Sequence, residues 1–137
     1  MRAIPGERIC LWLPLPPRQL SSNGSYGSHW SHSSAVRDYR HECAVVALCH
    51  AAATPANWPT PNRVRVSLLF GTQRQPHDGR YRPRDPTNAV SAAKALIDGL
   101  RDAGVIREDS AKHFELGSVT IDSKVEPGVY VTVEVIE

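Results

Sequence analysis

The sequence predicts a single small α+β domain in which helices pack on one mixed β-sheet. The chain of 137 residues has the length of one domain with one hydrophobic core. Its hydrophobic fraction of 41% is sufficient for such a core, and its charged fraction of 22% is ordinary. Segments with alternating apolar residues are interspersed with segments in which apolar residues recur every three or four positions. Their order is strand, helix, strand, helix, strand, strand, and we therefore expect residues 1–137 to form one domain.

The first strand is predicted in the segment ERICLWLPL, where apolar residues alternate until prolines interrupt the pattern. Residues 1–7 are expected to be flexible. Residues 18–32 are rich in serine, glycine and aromatic residues, and they are expected to form a long loop of the kind that is functional or mobile. The first helix is predicted in SAVRDYRHECAVVALCHAAA, with Ser33 or Ser34 as its N-cap.

The second half of the chain contains the other strands and the second helix. The segment RVRVSLLF alternates as a strand and ends at Gly71. A helical pattern runs from Pro86 to about Ala103, and Gly104 follows as a residue suited to end a helix. Two further strands are predicted in KHFELGSVTID and GVYVTVEVIE, with a turn before the second one.

Two classes of protein are disfavoured by the composition. The chain has no run of about 18 apolar residues, so no membrane span is expected. The apolar piece near the start is about five residues long and ends in prolines, which is too short for a secretory signal, so a cytoplasmic location is expected.

The cysteines Cys10, Cys43 and Cys49 are then expected to be reduced thiols. Cys43 and Cys49 lie on one predicted helix and point in different directions, which disfavours a zinc site.

Positive charge is concentrated in the middle of the chain. Between residues 63 and 84 the only acidic residue is Asp78, among these arginines: Arg63, Arg65, Arg74, Arg80, Arg82 and Arg84. This local basicity suits a phosphate backbone. A solvated loop and strand edge would also carry such residues, so the charge pattern alone leaves both interpretations open.

The second predicted helix carries a polar stripe that includes Asn88, Lys94 and Asp98. Asp85 precedes Pro86, and Asp at the N-cap with Pro at the first helical position is a strong signal for a helix start. Asp85 therefore needs no catalytic role to occupy this position. A carboxylate beside a basic segment also suits Mg²⁺, which binds one or two carboxylates together with water and phosphate oxygens.

Four features follow one another along the chain: LWLPLPP, a Ser/Asn/His loop, AVRDYR, and RPRDPTN followed by AAKALIDGLRDAGVIREDS. In this order, and most specifically over residues 84–110, they resemble the RusA-like Holliday junction resolvases of phages and prophages. The resemblance implies a small α+β fold, a homodimer and cleavage of branched DNA such as a four-way junction. It also implies Mg²⁺ as the cofactor, with Mn²⁺ as a possible substitute, no organic cofactor, and a place in the cytoplasm of a bacterial host.

The resemblance assigns roles to individual residues. Asp85 matches the first aspartate of the D-x-D-N motif of that family, and Asn88 matches its asparagine. Lys94 matches the catalytic lysine, with three extra residues after Asn88. Asp109 matches the last catalytic aspartate, and Glu108 is the acidic residue before it. Asp85 and Asp109 are thus the expected metal ligands, with Asn88, Glu108 and Thr87 as further candidates.

One position departs from the family motif. Thr87 stands where the family usually has its second aspartate. A threonine hydroxyl can contact a metal-bound water but carries no negative charge, so weaker metal binding is expected unless Asp98, Glu108 or Asp78 compensates. The alternative functions are a junction-binding protein without catalysis and a small interaction module in which Asp85 only caps its helix.

The remaining candidates are residues that contact DNA. In the Ser/Asn/His loop, Asn23 and His29 lie where relatives have an asparagine followed by a histidine. Four arginines are expected to follow the DNA backbone without reading its sequence: Arg74, Arg80, Arg82 and Arg84.

Overall fold

A computed structural model describes residues 4–20, 29–52, 58–75, 78–108 and 110–137, and it describes their side chains except at 29–32 and 52. The elements in chain order are β1 (Arg8–Leu13), a 3₁₀ turn (Arg18–Leu20), α1 (His29–Ala52), β2 (Val64–Gly71), α2 (Pro86–Ala92), α3 (Lys94–Asp102), β3 (Phe114–Asp122) and β4 (Gly128–Val135).

The strands form one four-stranded sheet in the order β1-β4-β2-β3. β4 is antiparallel to both β1 and β2, whereas β2 and β3 are parallel. Parallel neighbours require a crossover connection, and α2 and α3 lie in the segment that joins β2 to β3. The predicted α+β class with a mixed sheet is therefore confirmed.

The hydrophobic core lies between the helices and one face of the sheet. Because side chains alternate along a strand, each strand from β1, β2 and β4 sends every second residue into this core, for example Leu11, Val66 and Val131. Among the side chains that the structure describes, the largest fully buried one is Phe70. Burial of a side chain such as Leu or Phe contributes about 1.5–3 kcal/mol.

The helix predicted from Pro86 to about Ala103 is divided into α2 and α3 at Ala93. The backbone N–H of Ala93 donates to the carbonyl oxygens of both Ala89 and Val90, at 3.0 and 3.1 Å. This shared hydrogen bond tightens one turn, as is common at helix ends. Neither Gly nor Pro marks the division, so the sequence pattern did not indicate it.

The loop expected over residues 18–32 is shorter than predicted. Its first residues form the 3₁₀ turn, and α1 begins at His29 and not at Ser33 or Ser34. Serine and histidine have helix propensities only a few tenths of a kcal/mol below those of better helix formers, so a polar composition does not prevent an N-terminal extension of a packed helix. At the start of the chain, Gly6 donates a backbone hydrogen bond to Val135 at 2.9 Å.

The crossing of α1 and α3 depends on a glycine. A Cβ atom on Gly99 would lie 2.7 Å from the carbonyl oxygen of Arg40 and 2.9 Å from the Cβ of Cys43. At the same crossing, Arg40 donates two hydrogen bonds to Asp102, at 2.6 and 2.8 Å, and they lower the pKa of that carboxyl. Burial raises the pKa of Cys43 to about 12, so it remains a neutral thiol, whereas Cys49 is exposed.

Within the described part of the chain, none of the helices combines the length and the apolar character that are needed to span a lipid bilayer.

Replacement of Gly99 by alanine tests the helix crossing. We expect Gly99→Ala to lower the free energy of unfolding by roughly 1–2 kcal/mol, because overpacking costs about 1–3 kcal/mol and the higher helix propensity of alanine returns up to about 1 kcal/mol. Urea unfolding measures this difference. Ser91→Ala, at an exposed position of α2, is the control and is expected to be nearly neutral. Equal stability of Gly99→Ala and the wild type would contradict the close packing.

Candidate functional site

Asp85 is the N-cap of α2, as predicted. Its backbone is extended, with φ −142° and ψ 158°, and Pro86 opens the helix. One carboxylate oxygen accepts a hydrogen bond from the backbone N–H of Asn88 at 2.9 Å. The other accepts from the side-chain amide of Asn88 at 2.8 Å. Two hydrogen bonds from one residue thus fix the orientation of the carboxylate.

The cap leaves the Asp85 carboxylate able to accept further contacts. A carboxylate has about four lone-pair positions, and Asn88 occupies one on each oxygen. Asp85 is exposed, so the other positions face solvent. This carboxylate can therefore contribute one ligand to a hard cation while it caps the helix. The positive end of the α2 dipole opposes a cation here by about 0.3–1 kcal/mol, which a second carboxylate would offset.

The basic segment before α2 is held by internal ion pairs. The guanidinium of Arg82 forms a close ion pair with Asp78 and also donates to the backbone carbonyl of Gln73 at 3.0 and 3.2 Å. The hydrogen bonds from Arg82, together with the backbone N–H of Arg80, lower the pKa of Asp78 to about 2. Arg82 is therefore a structural residue in this arrangement, and Asp78 is neutralised by it.

Arg80 joins the same segment to the end of β1. Its guanidinium donates to the carbonyl of Leu15 at 3.0 Å and pairs with Glu42 of α1 at 3.3 Å. The backbone strengthens this link, because the N–H of Tyr81 donates to the carbonyl of Pro16 at 2.7 Å. Two of the four arginines predicted to bind DNA thus have protein partners.

Arg74 and Arg84 differ from these two. Both are exposed, and neither side chain has a hydrogen bond or an ion pair among the residues that the structure describes. Arg18 is also exposed, and it follows Pro17, which forms a β-bridge with Arg80. Sequence reasoning missed Arg18, because only the folded chain brings residue 17 beside residue 80.

Lys94 lies further along the helical segment than Asp85. Nine residues at a rise of about 1.5 Å separate the two positions by about 13 Å along the helix axis. The ammonium group of Lys94 contacts Asp98 at 3.1 Å, and Arg101 lies 4.0 Å from the same carboxylate. The side chain of Lys94 is 64% exposed, whereas that of Asp98 is 16% exposed. Lys94 and Asp85 therefore share a helical segment but not a direct contact.

The remaining predicted site residues are only partly described. Thr87 is exposed in the first turn of α2. Glu108 is exposed, with its carboxylate 4.0 Å from the ring of His113. Asp109 and Asn23 lie outside the described residues, and His29 is the first residue of α1, without a described side chain. Among the described residues, no three His, Cys, Asp or Glu side chains are grouped so that they hold a metal ion.

No protein-family model matches the chain, and the comparison with curated proteins gives no match. The functional assignment therefore depends on the sequence motif and on the arrangement of these side chains.

The ion pair of Asp78 predicts an unusual titration. We expect the carboxyl group to titrate with a midpoint near pH 2 in the folded protein, against about 3.9 in the unfolded chain. The folded pKa is the lower one, so the pair stabilises the fold above about pH 4, and this contribution is lost as the pH falls through about 2. Carboxyl chemical shifts in a pH titration followed by NMR measure the midpoint.

Two variants complete this test. Arg82→Gln is expected to move the Asp78 midpoint up toward about 3.9, because it removes the main donors. Arg84→Gln is the matched control and is expected to leave the midpoint unchanged. An unchanged midpoint in Arg82→Gln would show that the ion pair does not form in solution.

Proposed function

We propose that the protein is a Mg²⁺-dependent, structure-selective endodeoxyribonuclease that cleaves branched DNA such as four-way junctions in recombination or repair. The proposal includes an origin in a phage or prophage and a place of action in the cytoplasm of the bacterial host. The observation that carries it is the exposed carboxylate of Asp85, oriented by Asn88 at the start of α2 and preceded by the exposed Arg84. The resemblance over residues 84–110 supports the choice of substrate.

Asp85 and Asp109 would hold the metal ion in this proposal. Asn88 has a positioning role, because its two hydrogen bonds keep the Asp85 carboxylate in one orientation and leave lone pairs available. Bound Mg²⁺, or Mn²⁺ in its place, supplies polarisation of the phosphodiester and activation of a water molecule. Both remaining candidates for further contacts, Thr87 and Glu108, are exposed.

Lys94 would contact the phosphate on which negative charge develops. Its ammonium group has three donors, and it is largely exposed although it contacts Asp98. A cation placed near the phosphate stabilises a transition state in which charge accumulates. Asp98, whose side chain is mostly buried, pairs with this ammonium group and thereby restricts the direction of the Lys94 side chain.

The arginines divide into two groups by their contacts. Arg74 and Arg84 are exposed and are assigned to the DNA backbone, where each phosphate contact adds affinity but little sequence information. Arg80 and Arg82 are assigned to the shape of the segment that leads into α2, because Glu42 and Asp78 already pair with them. A homodimer would present two such sites to two strands of a junction.

A second candidate function is a protein that binds junctions without cutting them. The observation that favours it is Thr87, an exposed uncharged residue at the position where the related motif has an aspartate. A site with fewer carboxylates binds a hard cation less tightly. This candidate predicts salt-sensitive junction binding without cleavage.

Cleavage of a labelled four-way junction separates the two functions. We expect the wild type to nick the junction only with Mg²⁺ or Mn²⁺, and Asp85→Asn to lose roughly 100-fold or more of this activity, because loss of a metal ligand removes several kcal/mol of transition-state stabilisation. Asp38→Asn is the matched control, since Asp38 is an exposed aspartate of α1, and we expect it to cleave as the wild type does.

The outcomes of this experiment are distinct. Equal cleavage by wild type and Asp85→Asn contradicts the role of Asp85. Junction binding by the wild type without cleavage at any Mg²⁺ concentration supports the second function. The absence of any preference for a junction over duplex DNA contradicts both functions and leaves Asp85 as a helix cap only.

Restoration of an acidic residue tests the role assigned to position 87. Thr87→Asp is expected to lower the Mg²⁺ concentration for half-maximal cleavage by roughly tenfold, because it adds a charged oxygen ligand. A Mg²⁺ titration of the cleavage rate measures this shift. Thr87→Asn has a similar size without the charge and serves as control. The same Mg²⁺ requirement in all three proteins would place residue 87 outside the metal site.

A further inference from the structure

The chain turns after β1 in a segment that we call the proline turn (residues 14–20, PLPPRQL). Its three prolines have no backbone N–H, so the carbonyl groups of the turn need donors from other groups. The carbonyl of Pro14 accepts a hydrogen bond from the hydroxyl of Tyr39 of α1 at 2.7 Å. The carbonyl of Pro17 accepts from the N–H of Leu20 at 3.0 Å, within the 3₁₀ turn. The first end of the proline turn is thus bound to α1, and its second end is closed on itself.

The middle of the proline turn is bound to the segment that leads into α2. The guanidinium of Arg80 donates to the carbonyl of Leu15 at 3.0 Å. The backbone N–H of Tyr81 donates to the carbonyl of Pro16 at 2.7 Å, and Pro17 forms a β-bridge with Arg80. Four successive carbonyl groups of the proline turn therefore have donors, which fixes the conformation of its backbone.

Arg18 is the charged residue that this fixed turn presents to solvent. Leu15 and Leu20 on either side of it are buried, at 2% and 7% exposure, whereas Arg18 is exposed. Its side chain has no hydrogen bond or ion pair among the residues that the structure describes. A guanidinium has five donors, and a side chain on a preorganised turn loses less conformational freedom when it binds a partner. Arg18 is therefore well placed to bind an anion.

Arg74 and Arg84 are presented in the same way. The N–H of Gln73 donates to the carbonyl of Val125 at 3.0 Å, and its carbonyl accepts from Arg82 at 3.0 and 3.2 Å. Arg74 directly follows this doubly bound residue, and Arg84 directly precedes the helix cap of α2. Three exposed arginines from separate segments are thus each attached to a fixed piece of backbone beside residues 80–82.

The positive charge of this surface comes from the exposed arginines. Glu42 pairs with Arg80 at 3.3 Å, and Asp78 pairs closely with Arg82, so these four charges balance. What remains is a set of exposed guanidinium groups that we call the arginine cluster: Arg18, Arg74 and Arg84. Separate cations on a rigid surface complement a chain of separate phosphates, as in a nucleic-acid backbone.

The β-bridge also limits the distance of Arg18 from the candidate site. Pro17 lies about 5 Å from Arg80 across such a bridge, and Asp85 follows Arg80 by five residues. Because a chain spans at most about 3.6 Å per residue, the Cα atoms of Arg18 and Asp85 are at most about 27 Å apart. One turn of B-DNA is about 34 Å long. Arg18 and a phosphodiester at Asp85 thus fit within one helical turn of DNA.

We infer that Arg18 binds a backbone phosphate of the same DNA arm that presents its phosphodiester to Asp85, within one helical turn of that phosphodiester. The inference rests on the proposed function, since it takes DNA as the polyanion. The contact adds affinity and fixes the position of the arm, and it carries no sequence information. The bridge between the proline turn and the segment before α2 is what makes Arg18 part of this surface.

The salt dependence of binding counts such phosphate contacts. The logarithm of the binding constant falls linearly with the logarithm of the salt concentration, with a slope of about 0.9 for each phosphate that the protein neutralises. Fluorescence anisotropy of a labelled four-way junction, between about 50 and 200 mM salt and without divalent cations, measures this slope in the absence of cleavage. Arg18→Gln is expected to reduce the slope by about 0.9 and to weaken binding roughly eightfold at 0.1 M salt.

Three further variants make the result specific. Arg18→Lys keeps the charge and is expected to retain the slope of the wild type. Arg84→Gln removes a phosphate contact of the proposed function and is expected to reduce the slope by about 0.9. Arg8→Gln is the matched control, because Arg8 is exposed at the opposite end of β1 and lies 3.8 Å from Glu134. It is expected to leave the slope unchanged. Circular dichroism establishes that each variant is folded.

The possible outcomes separate this inference from the proposed function. A wild-type slope in Arg18→Gln, together with a reduced slope in Arg84→Gln, overturns the inference and leaves the proposed function intact. An equal reduction in Arg18→Gln and Arg8→Gln also overturns it, because the effect is then one of net charge. A slope in Arg18→Lys as low as in Arg18→Gln excludes a contact that depends on the charge. A wild type that binds neither junction nor duplex DNA contradicts the inference and the proposed function together.

Discussion

The guanidinium of Arg82 fixes the conformation of the connection between β2 and α2. It binds the carbonyl of Gln73, just after β2, and the carboxylate of Asp78, within the segment that leads to α2. Because Asp85 follows three residues later, the position of the candidate site depends on this contact. Arg80 adds a second attachment, to the carbonyl of Leu15 just after β1, and the backbone hydrogen bond from Tyr81 to Pro16 strengthens it. The segment that leads into α2 is thus held by arginine side chains together with a short stretch of backbone pairing.

This arrangement explains why a high number of arginines in one segment does not predict which of them have internal partners and which are exposed. A guanidinium has five donors in a planar fork, which suits backbone carbonyls and carboxylates as well as phosphates. Arg82 and Arg84 are two residues apart, yet the first is held by internal partners and the second is exposed. What separates them is the distance of each side chain from Asp78 and Gln73, and this distance is a property of the folded chain.

The strands and the cap of α2 could be predicted because they depend on local rules. Alternation locates a strand, and Asp followed by Pro locates a helix start. The division of the second helix at Ala93 could not, because no Gly or Pro marks it. The start of α1 at His29 could not, because a segment rich in serine and glycine is typical of loops. The contact between Asp85 and Asn88 follows from the predicted helix start, since the two residues lie one helical turn apart. The contacts of Arg80 join residues distant in sequence, and periodicity carries no information about such pairs.

In the motif that the sequence resembles, the lysine is three residues closer to the asparagine than Lys94 is to Asn88. Helix geometry shows what this difference in spacing does to the direction of Lys94. Three extra residues rotate a side chain by about 300° and advance it by about 4.5 Å in an α-helix. Lys94 therefore points within about 60° of the direction that a lysine three residues earlier would take, and it lies about one helical turn further along the axis. The tightened turn at Ala93 reduces this difference, because a 3₁₀-like residue rotates by about 120° where an α-helical residue rotates by about 100°. Lys94 is seven residues and about two full turns beyond Thr87, so these two side chains lie on the same side of the helical segment, whereas Asp85 is about half a turn away from that direction.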